Sequence, residues 1–154
     1  MRSQLSRLRA EREAWRAAGR RVVLTNGCFD LLHPGHVTLL EAARAEGDVL
    51  VVAINSDASI RGLKGAGRPL LPEAERAEAL AALEAVDVVL CYDEPTPLEV
   101  VRALRPDVLV KGADWAEEAI VGREDVEAAG GRVVRVPLAA GRSTSALLAR
   151  IRGA

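Results

Sequence analysis

The sequence predicts an α/β domain: a Rossmann-like, doubly wound sheet of about five parallel strands with flanking helices. Three observations predict it. Five short valine-rich runs are mostly continuous in apolar residues, the mark of strands buried on both faces. Stretches of helical character alternate with them. The connections between the two are short, and neither a repeat nor a linker interrupts them.

The elements follow in order. Residues 3–18 read as a helix, with Leu5, Leu8 and Trp15 on one stripe, and Gly19 supplies its stop. The strands are Arg21–Thr25, Val49–Ile54, Val86–Leu90, Val108–Val110 and Val133–Val136. Between them lie helices at Gly35–Glu46, Pro72–Leu83, Pro97–Leu104 and Gly122–Ala129, and Ser143–Ile151 closes the chain. Pro72 suits a first turn, Glu73 and Glu75 suit the positive helix end, and Thr96 and Ser143 suit N-caps. Asn55–Gly67 reads as the loop after the second strand, and Gly62–Pro72 as the longest irregular stretch.

A chain of 154 residues corresponds to one domain, residues 1–154, with an N-terminal helix (1–18) and a core (20–154). A hydrophobic fraction of 49%, a charged fraction of 28% and a net charge of -1 exclude a disordered chain. They also leave no basic excess for a nucleic-acid binder. No apolar run approaches the roughly 18 residues of a membrane span. The two cysteines, Cys28 and Cys91, fall on different segments and make neither a disulfide framework nor a zinc site. A reduced, cytoplasmic protein with no membrane partner is expected.

Scarce residues point to the site. The chain has two histidines and two lysines, against nineteen arginines. Open α/β sheets bind ligands beyond the carboxyl ends of their strands, and His33, His36, Lys64 and Lys111 all fall in segments that follow strands. After the first strand the chain reads TNGCFDLLHPGH, residues 25–36. Gly27 permits a close turn, and the helix opening at Gly35 offers free N–H groups to a phosphate. His33 and His36, spaced i,i+3, can present both rings to one anion. Cys28 reads as packing rather than as a nucleophile, and no third ligand accompanies the histidines, so no metal site is expected.

The segment GCFDLLHPGH resembles the signature of the nucleotidyltransferase superfamily that carries an HxGH motif. The run NSDASIRGLKGAGRPLLP, the stretches LEAVDVVL and VKGAD–IVG, and the end GRSTSALLARI resemble the members that adenylylate heptose 1-phosphate. The resemblance runs from about Arg20 to the C-terminus. Two departures are mild: the usual KGGDY becomes Lys111-Gly112-Ala113-Asp114-Trp115, and the usual STT becomes Ser143-Thr144-Ser145. Ala113 matters only if its backbone has positive φ. Glycerol-phosphate cytidylyltransferases carry an arginine where this chain has Leu138, which weakens a CTP-dependent alternative acting on a polyol phosphate.

The resemblance implies AMP transfer from ATP to a sugar 1-phosphate, releasing pyrophosphate. His36 is expected on the α-phosphate, His33 on the β and γ oxygens, and Lys64 as a loop cation closing over them; the plain alternative for Lys64 is a solvated loop lysine. Nucleotide contacts are implied for Thr25, Asn26, Gly27, Cys28, Phe29, Gly35, Lys111, Asp114, Ser143 and Thr144, although Lys111 could instead form a strand-end salt bridge. Sugar-phosphate contacts are implied for Asp30 and Arg76, the latter equally readable as a surface arginine. Trp115 could stack on the ligand or pack at the rim. Mg²⁺ is expected with ATP, held mostly by phosphates and water. A homodimer is plausible. The chain length leaves no room for the sugar kinase domain often fused to such modules, so a separate kinase is expected.

Overall fold

A computed structural model describes residues 2–138 and 140–153. Its elements are α1 (Arg2–Ala17), β1 (Val22–Gly27), α2 (Pro34–Arg44), β2 (Val49–Asn55), α3 (Asp57–Lys64), α4 (Glu73–Ala81), β3 (Val88–Tyr92), α5 (Leu98–Leu104), β4 (Val108–Gly112), α6 (Arg123–Ala128), β5 (Arg132–Val136) and α7 (Thr144–Ile151). A 3₁₀ turn spans Glu117–Ala119.

The five strands form one sheet in the order β3-β2-β1-β4-β5, and every pairing is parallel. This bears out the expected fold. The strand order reverses between β1 and β4, so a crevice opens beyond their carboxyl ends, where such sheets bind ligands.

Burial explains why the strand runs are continuous rather than alternating. β2 is buried at all seven positions. Val49, Val51 and Ala53 join one core with Val22, Leu24 and Leu109, on the side covered by Leu8 of α1 and Val100, Val101 and Leu104 of α5. Leu50, Val52 and Ile54 join the other core with Val23 and Val110, beneath Leu40 and Ala43 of α2 and Leu80 of α4. Leu5 and Trp15 pack beside Leu8, so the stripe read along the first helix is its buried face.

Several boundaries differ from expectation. The span Asn55–Gly67 is not all loop: α3 forms at Asp57–Lys64. Its N-cap is Ser56, whose hydroxyl accepts from Ser59 N, and Ile60 is its buried anchor. Gly62 and Gly65 masked this short helix in the sequence. β3 begins at Val88 rather than Val86, because Val86 N–H donates to Leu83 O in the turn that ends α4. At α5 the N-cap position is Pro97, not Thr96, with no side-chain cap. Ser143 does cap α7, accepting from Ala146 N. Among the described residues no helix is long and apolar enough to cross a membrane.

Candidate active site

The first loop is fixed from several sides. Asn26 and Gly27 end β1, and Asn26 Nδ2 donates to the Tyr92 hydroxyl at 3.3 Å. Thr25 is fully buried, and its hydroxyl donates to Val110 O at 2.9 Å. Its side chain therefore ties β1 to β4 rather than reaching a ligand. Phe29 takes a left-handed backbone (φ 48°), which turns the chain toward α2. Its ring packs 5.1 Å from that of His36. A Cβ at Gly27 would lie 3.2 Å from the Phe29 ring, so glycine lets this turn close. The Cys28 thiol contacts Asn55 Oδ1 at 3.8 Å, as expected of a packed cysteine.

The two histidines hold each other in place. His33 is the N-cap of α2, and His36 is its third residue. His33 Nδ1 accepts from Gly35 N at 3.1 Å, and His36 Nδ1 faces His33 N at 3.4 Å. This is a reciprocal capping box built from imidazoles instead of a hydroxyl and a carboxylate. The rings stack with centroids 3.8 Å apart. Because His33 Nδ1 accepts a backbone hydrogen bond, its neutral ring carries the proton on Nε2, as a donor. A Cβ at Gly35 would sit 2.8 Å from His33 Cε1 and 3.3 Å from Arg142 O. Gly35 thus admits the ring and lets the segment before α7 lie over the start of α2.

Burial, helped by neighbouring positive groups, keeps both rings neutral. His36 is pushed down to about 4, first by burial and then by His33, against a hydrogen bond with the Leu31 backbone. His33 is lowered by burial and by the nearby Arg142 guanidinium. At neutral pH the pair supplies N–H donors, and positive charge comes from elsewhere.

Lys111 supplies some of that charge at the switch point. It sits in β4, its ammonium donates to Asn26 O at 3.2 Å, and it lies 4.9 Å from the centroid of the Trp115 ring. Burial lowers it to about 8, with Asp114 and Cys28 opposing. Trp115 remains 47% exposed, so one face of the crevice rim is aromatic. Ala113 is not among the residues of positive φ, so alanine is unstrained there. Asp114 folds back over Gly112, where a Cβ would meet its carboxylate at 2.6 Å.

Lys64 stands apart. It is the last residue of α3, is exposed, and its ammonium makes no hydrogen bond or ion pair with another described residue. Gly65 (φ 92°) follows it with open space around its backbone. Ser143 and Thr144 begin α7 beside the start of α2, so two helix N-termini flank the His33 ring.

Asp30 and Arg76 are scaffold residues in this structure. The Asp30 carboxylate is 2% exposed and accepts from Arg68 Nε at 2.7 Å, Leu70 N at 2.9 Å and Leu71 N at 3.0 Å. The backbone N–H groups and Arg68 outweigh its burial and hold its pKa below the ordinary value. Arg76 is neither exposed nor free. It donates to Leu71 O, Cys28 O, Asn55 O and Asp57 Oδ1, at 2.7–3.0 Å. Together they clamp the histidine loop to the end of β2, the start of α3 and the segment before α4. Both groups are almost fully buried, and these hydrogen bonds occupy four of the five Arg76 N–H donors. The sequence alone assigned no role to Arg68, Tyr92 or Arg142: Arg142 stands out only by its place in the run before the last helix, and Arg68 gave no signal among nineteen arginines.

The family follows from this site and from likeness to known proteins. Residues 24–138 match the family described as cytidylyltransferase-like. The chain belongs to that family. This bears out the resemblance carried by GCFDLLHPGH. Among similar proteins, the bifunctional protein HldE of Azorhizobium caulinodans is 59% identical over 139 residues, 90% of this chain and 29% of the relative. That of Acidiphilium cryptum is 56% identical over 140 residues, 91% of this chain and 29% of the relative. The chain therefore spans less than a third of the length of these relatives. A lipopolysaccharide core biosynthesis protein from Thermoplasma volcanium has the same fold, with a TM-score of 0.64 and 27% identity. The match covers 78% of this chain and 97% of that one. Pantoate-beta-alanine ligase from Francisella tularensis shares the fold alone, with a TM-score of 0.66 at 15% identity over 92% of this chain and 67% of that one.

Proposed function

We propose that the chain transfers AMP from ATP to a heptose 1-phosphate, forming ADP-heptose and releasing pyrophosphate. The observation that carries the chemistry is the stacked, neutral His33–His36 pair at the start of α2, beside Lys111 at the β1/β4 switch point. The kinship with HldE proteins carries the choice of substrate.

A sugar-phosphate oxygen attacks the α-phosphorus of ATP; one P–O bond forms, and the bond to the β-phosphate bridging oxygen breaks. The nucleophile is already anionic, so the site needs no strong base. It must align two anions and stabilise the charge gathering on the α-phosphate. His36 donates to the α-phosphate, and His33 Nε2–H to the outer phosphates. Lys111, Lys64 and the N-termini of α2 and α7 supply positive potential. The Trp115 ring offers a stacking face to the base or sugar.

Among the described residues no cluster of three His, Cys, Asp or Glu side chains could cage a cation. The donors at the site suit phosphate rather than metal. Mg²⁺ would enter with ATP, held mostly by phosphates and water, and would neutralise phosphate charge.

The test is pyrophosphate release across ATP and CTP, each with heptose 1-phosphate and glycerol 3-phosphate. Turnover with ATP and heptose 1-phosphate is expected. Turnover only with CTP would overturn the nucleotide choice, and nucleotide binding with no turnover in any pairing would overturn catalysis.

A further inference from the structure

A second basic site lies at the opposite edge of the sheet. α1 packs on α5, and between them is a cleft of about 220 Å³ lined by Arg9, Arg12, Arg16, Arg102 and Arg105, with Glu13 as the one carboxylate in its lining. On α1 the arginines fall at i, i+3 and i+7, one helix face; Arg102 and Arg105 face them at i, i+3 from the end of α5. The cleft sits at the amino ends of the strands: Asp107, which pairs with Arg12, also accepts from Val22 N at the start of β1. The histidines lie at the carboxyl ends.

Three features set this cleft apart from scattered surface arginines. First, its floor is rigid: the Arg12 side chain is only 4% exposed and is held by Leu104 O, Arg105 O and Asp107 Oδ1. Second, Asp107 answers Arg12 and Asp125 answers Arg102, but Arg9, Arg16 and Arg105 pair with no carboxylate among the described residues. All three are exposed, and Glu13 is the carboxylate that lines the cleft with them. Third, Arg105 occupies the C-cap of α5 with a left-handed backbone (φ 48°, ψ 63°), where glycine is unstrained and usual. Strain of that kind in a non-glycine residue concentrates at ligand clamps.

We propose that this cleft binds a small multivalent phosphate anion, with Arg9, Arg16 and Arg105 as its ligands and Arg12 as the fixed floor. Planar guanidinium forks lining one cleft from α1 and the end of α5 suit several phosphate oxygens at once. The proposal is independent of nucleotidyl transfer, and the two sites report on separate signals.

The experiment is an NMR titration of the full chain with inorganic tripolyphosphate at physiological salt. The Nε–H signals of Arg9, Arg16 and Arg105 should shift along one saturating curve, distinct from any shift at His33 and His36. Arg105→Gly removes the guanidinium and supplies the residue that this backbone favours, so it should keep its fold. It and Arg16→Gln should each weaken binding about tenfold, as loss of a charge-assisted contact does. Shifts that grow linearly without saturation, shifts confined to the histidines, or unchanged affinity in both variants would each overturn the proposal. Tighter binding of an oligoglutamate peptide than of tripolyphosphate would overturn the ligand class.

Discussion

The histidine loop and the end of α3 contribute to the same proposed site but are built in opposite ways. The loop is over-determined. Its rings cap α2 for each other, Gly35 leaves room for them, and Asp30 and Arg76 brace the turn beneath. Lys64 has no partner among described residues and is followed by glycines in open space. The loop's donors are neutral and pre-placed; the lysine's charge is solvated until a ligand draws it in. Transition-state stabilisation demands pre-organised donors, whereas a closing cation must be free to move with substrate.

Each of the two regions can be perturbed on its own. The largest effect is expected from His36→Ala, a loss on the order of 10²-fold or more in kcat, as when an oxyanion donor is removed. Near-normal turnover in steady-state assays would refute its role. Gly35→Ala comes next: its Cβ must displace the His33 ring from the Gly35 N–H. Activity should fall at least tenfold, while stability falls only by about 1 kcal/mol, the worth of one N-cap bond. Equal proportional losses in denaturant melts and turnover would argue that the ring is merely structural.

Lys64→Arg keeps the charge but changes its shape, and should lower kcat by roughly tenfold, about 1.4 kcal/mol of barrier. The melting temperature should not change, since Lys64 is exposed and unpartnered. Unchanged activity would return it to a solvated helix-end lysine. The smallest effect is a pH profile. Lys111 is lowered to about 8, so its ammonium is lost as pH rises through that value, and kcat/KM should fall there. Lys111→Arg should move this limb upward. His36, at about 4 in the free protein, should give no limb between about pH 5 and 8.

The strands and their parallel pairing were legible because the central strands β1, β2 and β4 are largely buried on both faces, which writes continuous valine runs into the sequence; the edge strands β3 and β5 are only partly buried. The histidine pair was legible because histidine is scarce and its spacing lies at a strand-to-helix junction. α3 was not: eight residues containing Gly62 look like a loop until Ser56 and Ile60 are seen to cap and anchor them. Nor were the bracing roles of Asp30 and Arg76. A motif carboxylate and a scaffold carboxylate look alike in sequence; only three converging donors, drawn from residues 38–41 positions away, tell them apart.

The most direct measurement follows the α-phosphorus. ATP labelled at that atom is incubated with heptose 1-phosphate, and the products are separated. Label is expected in ADP-heptose, with one pyrophosphate released per nucleotide sugar, and the product should nearly vanish with His36→Ala. Label that stays in ATP while CTP is consumed, or undiminished product from His36→Ala, would contradict adenylyl transfer at the histidine pair.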